Sequence, residues 1–367
     1  MKTCKYKFIL SIILSIIIFS NQIAVKAVSV GKLNVDARCA IAMDSDTKAV
    51  LYEKNANSIV PMASTTKIMT ALVAIKYGNL DRKFTVSKRA AAIRGSVVGY
   101  KLGEEITLKE LLYGLMFRSG NDAAITIAEG IGGNVDNFIK LMNEYACEIG
   151  AVNSHFETPH GLDREFHYCT AYDLALITAK AKENKIFNDI VSTKDIAASQ
   201  YGFTRGYHNI NKILYQIPGA NGVKTGYTGK AGKCLVTSVD IGGHDVIFVV
   251  LNCTPRWKET KKMYDYIIKN YSYKKIVSKG DKLYEKKISN GKDMLKLYAP
   301  HDIIFPCKNN ENYKVKIKVS NDINAPIKKD DKIGKIEIFE NDVKVYVDYL
   351  LSNEVKGNKA TKKFFSN

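Results

Sequence analysis

An α/β domain followed by a small all-β domain is what this sequence predicts, and three observations carry the prediction. Apolar residues recur at helical spacing after Ser64 and again after Thr107. Ala231–Val239 and Val246–Leu251 read as two strands around a Gly242-Gly243 turn, and from Tyr271 onward the pattern changes to short alternating strands. A chain of 367 residues, 46% of them hydrophobic, is long enough for about two domains with real cores. The expected boundaries are a leader at 1–27, the α/β domain at 28–270, the all-β domain at 273–352 and a basic tail at 353–367.

The leader comes first. Lys2, Lys5 and Lys7 precede an apolar run from Phe8 to Phe19 and then Val25-Lys-Ala27, the three parts of a secretory signal peptide; the run is short for a membrane span. Cleavage after Ala27 removes four lysines and no acid, so 55 basic against 37 acidic residues becomes 51 against 37, a net +14. In an exported chain such charge favours peripheral contact with anionic wall polymers or a membrane surface. No nucleic-acid partner is expected, and the location is extracytoplasmic, at the cell wall or the outer face of the membrane. Lysines this dispersed also suit a merely solvated surface.

Ser64 opens the next element. Ile68, Met69, Leu72, Ala74 and Ile75 follow it at helical spacing, after a Pro61-Met-Ala lead-in and before Gly78. In Ser64-Thr-Thr-Lys67 the three-residue spacing puts Lys67 on the serine's face one turn later, where a lysine of depressed pKa can act as base, and the first-turn amides point toward a reacting carbonyl. The spacing alone says little, because Ser29/Lys32, Ser45/Lys48, Ser272/Lys275 and Ser289/Lys292 repeat it, and Ser64 reads equally as an ordinary helix cap.

A helix at Thr107–Met116, a break at Ser119-Gly120 and a second helix from Asn121 to Ala128 place Ser119 and Asn121 on a junction. A hydroxyl there can relay a proton and an amide can clamp a substrate, although Ser-Gly-Asn is also common loop filler. Lys224-Thr-Gly226 falls on a strand just before Ala231–Val239. There Gly226 permits close backbone approach, Thr225 can bond a carboxylate and Lys224 supplies positive charge.

Three such motifs in this order resemble the signature of penicillin-binding proteins and class A β-lactamases. More of the chain, roughly 35–260, is similar to the D-alanyl-D-alanine carboxypeptidases, the low-molecular-weight, serine-type penicillin-binding proteins. The similar stretches are Ala42–Thr47, Pro61–Thr70, Gly103–Thr107, Glu110–Gly114, Ser119–Ala124 and Thr158–Asp163. Cys169 departs from the pattern, where the family usually has serine, and is read as tolerated. The resemblance implies a β-lactamase/transpeptidase-like domain, an antiparallel sheet with flanking helices, followed by a β-sandwich.

It further implies that Ser64 attacks the penultimate D-alanine carbonyl of a peptidoglycan stem peptide ending in D-Ala-D-Ala, with Lys67 as base and Ser119 as proton relay, and that β-lactams inhibit by acylating the same serine. Asn121 would hold the substrate amide, Lys224 and Thr225 its carboxylate with help from Arg256, and the Ser64 and Tyr227 amides, the latter after Gly226, would form the oxyanion hole. His160 is read as structural. Two rival readings are a class A-like β-lactamase, for which Arg164-Glu-Phe-His-Tyr-Cys169 supplies no Glu-x-x-Leu-Asn segment, and a non-catalytic wall-binding protein.

Downstream, Asp281–Ile288, Tyr313–Val319 and Ile333–Phe339 read as strands, with Asp330–Gly334 as a hairpin turn feeding the last of them; the residues from Glu354 read as a frayed basic terminus. Zinc spacing and histidine clusters are absent, so neither metal nor cofactor is expected. Cys39, Cys234 and Cys253, in apolar strand-like stretches, are expected to be free buried thiols.

Overall fold

The computed structural model describes residues 33–358. The expected leader and the end of the tail lie outside the described residues. In chain order, β1 (Cys39–Asp44) and β2 (Val50–Lys54) form a hairpin, a 3-10 turn (Ala63–Thr66) leads into α1 (Lys67–Tyr77), and β3 (Lys83–Thr85) pairs with β4 (Glu105–Thr107). Next come α2 (Leu108–Phe117), α3 (Asn121–Gly132), α4 (Val135–Ile149), α5 (Ala171–Lys182) and α6 (Lys185–Ser192). Strands β5 (Ala220–Thr228), β6 (Gly232–Asp240) and β7 (Asp245–Leu251) precede α7 (Arg256–Asn270).

The helices start where short polar side chains can accept orphan amide protons: Thr107 Oγ1 from Glu110 N, Asn134 Oδ1 from Asn137 N and Thr170 Oγ1 from Asp173 N. The sheet runs in the antiparallel order β2-β1-β7-β6-β5. Helix α5 packs on β1 and β7 from one side, and α7 packs on β6 and β7. Because α1 lies among α2, α3, α4 and α5, Ile68, Met69, Leu72, Val73 and Ala74 are all buried, and its apolar residues need no single stripe. The arrangement leaves β5 as an edge strand facing the turn that opens α1, and that meeting makes the site.

Beyond α7, β8 (Tyr271–Val277), β9 (Lys282–Lys287), β10 (Met294–Tyr298), β11 (Ile303–Lys308), β12 (Tyr313–Val319), β13 (Lys332–Glu340) and β14 (Val343–Ser352) build the all-β part. β8 pairs with β11, and a second antiparallel sheet runs β9-β10-β14-β13-β12. Leu295, Leu297, Phe305, Ile336, Ile338 and Leu350 fill its core.

The chain does not fray at Glu354. Val355 is fully buried and bridges Ile327, and Asn358 N donates to Asn290 O, so the β domain continues past the expected end at 352; one apolar side chain with a core to enter outweighs the basic composition around it. Two tyrosines tie this domain back to the first: Tyr271 Oη donates to Leu51 O at 2.7 Å, and Tyr273 Oη donates to Asp44 Oδ2 at 2.7 Å while its ring stacks on His244. The six cysteines among the described residues are free thiols, and all except Cys147 are buried.

Candidate active site

Ser64 lies inside the 3-10 turn rather than on a regular helix, and Ala63 before it adopts φ +52°. A non-glycine residue held there is strained, and such strain collects where a side chain has to be aimed. The turn is locked from within by Thr65 Oγ1, which donates to Met62 O at 2.6 Å, and Thr66 Oγ1, which donates to Ala63 O at 2.8 Å. Thr66 Oγ1 is also 2.8 Å from His167 Nε2.

One turn on, the Lys67 amine is fully buried and meets three groups: Ser64 Oγ at 3.0 Å, Asn121 Oδ1 at 2.8 Å and the His160 carbonyl at 2.6 Å. Burial, then the nearby Lys224 charge, holds its pKa well below the ordinary lysine value, against a smaller opposing pull from Asp122. The Lys224 amine, also buried, donates to Thr225 O at 2.9 Å; burial first and the Arg256 charge second bring its pKa down to about 7. The cations thus act in series, Arg256 on Lys224 and Lys224 on Lys67.

Ser119 and Asn121 flank the α2–α3 junction as the sequence predicts, and both are buried. Ser119 takes φ +59°, a second strained position in the cleft, and its hydroxyl bonds neither Ser64 nor Lys67. Asn121 is more committed than its expected role as substrate clamp requires: Oδ1 holds Lys67, and Nδ2 donates to Arg94 O at 2.7 Å. One Nδ2 proton remains for a substrate. Asp122 anchors the strap above, accepting from the amides of Val98, Gly99 and Tyr100 at 3.0, 2.8 and 3.2 Å.

On the opposite wall β5 presents Lys224, Thr225, Gly226 and Tyr227, paired with Val236, Leu235, Cys234 and Lys233 of β6. Gly226 is required by contact distance: a Cβ there would sit 3.0 Å from Ser64 N and 3.1 Å from Ala63 Cβ. The expectation that Arg256 reaches toward a substrate carboxylate meets a different geometry. Its Nη1 donates to Gly226 O at 2.7 Å and Cys234 O at 3.1 Å, behind the strand, and its Nε is buried without a partner. In a planar trans peptide the carbonyl and N–H point in opposite directions, so holding Gly226 O there turns the Tyr227 N–H away from Arg256. The Tyr227 side chain itself is 67% exposed.

The segment Thr158–Asp163 closes the third side, and its contribution is mostly main chain. Besides accepting from Lys67, the His160 carbonyl lies 3.4 Å from Ser64 Oγ, and Thr70 Oγ1 donates to Pro159 O at 2.6 Å. The imidazole accepts from Leu162 N, and burial, ahead of the Lys67 charge, lowers its pKa to about 3, so it stays neutral and serves as structure. Asp163 accepts from Thr228 Oγ1 at 2.7 Å, pinning the end of β5 to this loop. Cys169 fits because its thiol has partners: it donates to Thr170 O and accepts from Ser154 Oγ, both at 3.1 Å. Among the described residues no group of histidine, cysteine and carboxylate side chains is arranged to hold a metal.

Comparison with known proteins identifies the family. Residues 25–254 match the D-alanyl-D-alanine carboxypeptidase family model, and residues 271–357 match that of the penicillin-binding protein 5 C-terminal domain. The chain is 34% identical over 314 residues to the D-alanyl-D-alanine carboxypeptidase DacF of Bacillus subtilis, covering 82% of this chain and 81% of that one. It is 35% identical over 249 residues to a Streptomyces D-alanyl-D-alanine carboxypeptidase, covering 63% and 86%. The solved penicillin-binding protein 5 of Haemophilus influenzae superposes with a TM-score of 0.78 at 28% identity, over 89% of this chain and 99% of that one. With both domains matched and the fold in agreement, the chain belongs to the D-alanyl-D-alanine carboxypeptidases, serine-type penicillin-binding hydrolases of peptidoglycan.

Proposed function

We propose that this carboxypeptidase releases the terminal D-alanine of a stem pentapeptide through an acyl-enzyme on Ser64, with Lys67 as the base. The observation that carries this reading is the set of three contacts around Lys67 Nζ. A neutral amine has two N–H donors and one lone pair; Asn121 Oδ1 and His160 O can take the two protons, which leaves the lone pair for the Ser64 hydroxyl proton. Attack of Ser64 on the carbonyl builds an oxyanion between the Ser64 and Tyr227 amides, the second aimed by the hold of Arg256 on Gly226 O. Ser119, whose hydroxyl bonds neither Ser64 nor Lys67 among the described residues, passes a proton to the departing amine. Thr225 and Lys224 receive the terminal carboxylate, whose charge raises the Lys224 pKa again.

The same acylation accounts for covalent capture of β-lactams. The signal-peptide pattern and a substrate that lies in the wall support action outside the cytoplasm, at the wall or the outer membrane face, and the basic surface supports peripheral contact with anionic polymers there. The test is product analysis with a stem pentapeptide, together with intact mass after penicillin. Loss of one D-alanine without cross-linked product, and one penicilloyl adduct that disappears in Ser64→Ala, are expected; an adduct on Ser64→Ala would move the nucleophile elsewhere.

A further inference from the structure

We propose that the outer face of the β12-β13-β14 sheet is a binding site for a linear anionic polymer of the phosphodiester type. The register defines the face. Ile317, Ile336 and Asp348 line up toward the inside of the sandwich, so their alternates Lys316, Lys318, Lys335, Glu337 and Tyr349 line up outside. Lys314, Lys316 and Lys318 stand in a row on the edge strand β12, all exposed, with Lys335 directly across from Lys318 and Tyr349 across from Lys335.

The charge on this face is unbalanced. Asp342 pairs with Lys314 at 2.8 Å, and Glu337 pairs with Lys344 at 3.2 Å. Lys316, Lys318, Lys332 and Lys335 form no close ion pair among the described residues, although Lys316 stands across from Glu337 and its charge reaches Asp342. Three of them rest on aromatic rings instead, Lys316 at 4.4 Å from the centre of Phe339 and Lys332 and Lys335 at 5.5 and 5.1 Å from that of Tyr349. Ring contact orients an ammonium without neutralising it.

Strand geometry selects the polymer. Alternate residues on one strand are about 6.8 Å apart and neighbouring strands about 4.8 Å apart, so the ammonium groups form a dense grid suited to an anion on every short repeat. Along β14, Leu351 continues the row of Val347 and Tyr349, and it lines a cavity of about 440 Å³ whose charged lining is balanced, Lys279 and Lys329 against Asp330 and Glu354. The lysine rows supply the charge, and this concave end supplies only the shape, one that a narrow chain running off the grid can enter and a flat bilayer could not. The inference does not depend on the catalytic assignment.

The experiment uses the mature full-length protein, a lipid-free poly(glycerol phosphate) chain and phosphatidylglycerol vesicles. Salt-sensitive binding of the polymer is expected. Replacing Lys316, Lys318, Lys332 and Lys335 together by glutamine should weaken it at least about tenfold, the scale of a few lysines at an anionic surface, with the penicillin acylation rate unchanged. A control that removes the same charge from the first domain, at Lys83, Lys88, Lys140 and Lys258, should bind nearly as wild type. Equal loss in both quadruple variants would reduce the effect to net charge, no polymer binding would remove the site, and capture by vesicles alone would make the face a membrane contact; each overturns the proposal. Altered acylation in the first variant would show that the face is not separate from the catalytic domain.

Discussion

Lys67 and Lys224 are both lysines held below their ordinary pKa, yet they are asked for opposite protonation states. Lys67 has to lose its proton to Ser64 chemistry, so Lys67→Arg, which keeps the charge but cannot deprotonate, should acylate at least about a hundredfold more slowly, the lower range of what general base catalysis contributes. Lys224→Arg should be milder, because the carboxylate needs only a cation. Stopped-flow acylation rates for the two variants decide it, and equal losses would misassign the base. The pH dependence follows from the same pair. With a pKa of about 7, Lys224 is charged below that pH and neutral above it, so KM for a carboxylate-bearing substrate should rise as pH climbs past about 7. Bound carboxylate raises the pKa again and defers the loss in kcat to higher pH. In Lys224→Arg the alkaline rise in KM should vanish; its persistence would assign the titration to another group.

Between elements, the site depends on how closely β5 and the Thr158–Asp163 loop approach the Ser64 turn. Gly161 has φ +87°, and a Cβ there would fall 2.0 Å from Ala63 O. Gly161→Ala should therefore push the His160 carbonyl off Lys67 and slow acylation more than tenfold, beyond a backbone strain cost of about 1–3 kcal/mol. Gly202→Ala, at φ +66° with open space around it, carries the strain without the clash and should acylate normally. Acylation rate and thermal midpoint measured on both separate the two effects; similar rates would deny the loop its role in placing the base. The elements themselves were legible in sequence. Periodicity located α1, α2, α3 and the strands β6, β7, β9, β12 and β13 to within a few residues, and turn chemistry placed Ser119 and Asn121 on a junction; β10, β11 and β14 were given no range. The His160 carbonyl was not legible, because every residue carries one and only the path of the loop aims it at Lys67. Nor was the position of Arg256 behind β5, since its partners are the main-chain oxygens of Gly226 and Cys234. The 3-10 turn at Ala63 escaped for a related reason: alanine carries no mark of a left-handed backbone that its neighbours impose.

For the molecule as a whole, the question is whether the β domain completes the cleft or only carries it to its substrate. Among the described residues, the groups that build the site around Ser64 come from residues 62–256, whereas the junction between domains includes Tyr271, Tyr273 and His244, on the β1–β2 side of the sheet away from edge strand β5. Ending the chain after Asn270 removes the tyrosine hydrogen bonds to Leu51 O and to Asp44, and three at the end of α7, from Tyr271 N to Ile267 O and from Asn309 to Asn270 O and Lys269 O. Asp44 keeps the amide of Thr47 at 2.8 Å, so the exposed surface is not left with an unpartnered buried carboxylate. The three at the helix end pass to water, so losing these bonds and the stacked ring should lower stability by about 2–5 kcal/mol while leaving acylation of soluble penicillin near the full-length rate. Binding of anionic polymer should fall with the loss of the β12-β13-β14 face. Acylation kinetics, thermal unfolding and polymer binding on the same truncated protein read these three outcomes separately. A folded truncation that no longer acylates would mean that the β domain shapes the cleft across the sheet. One that still binds polymer as tightly would place the polyanion site on the catalytic domain, and the two results would break different links of the argument.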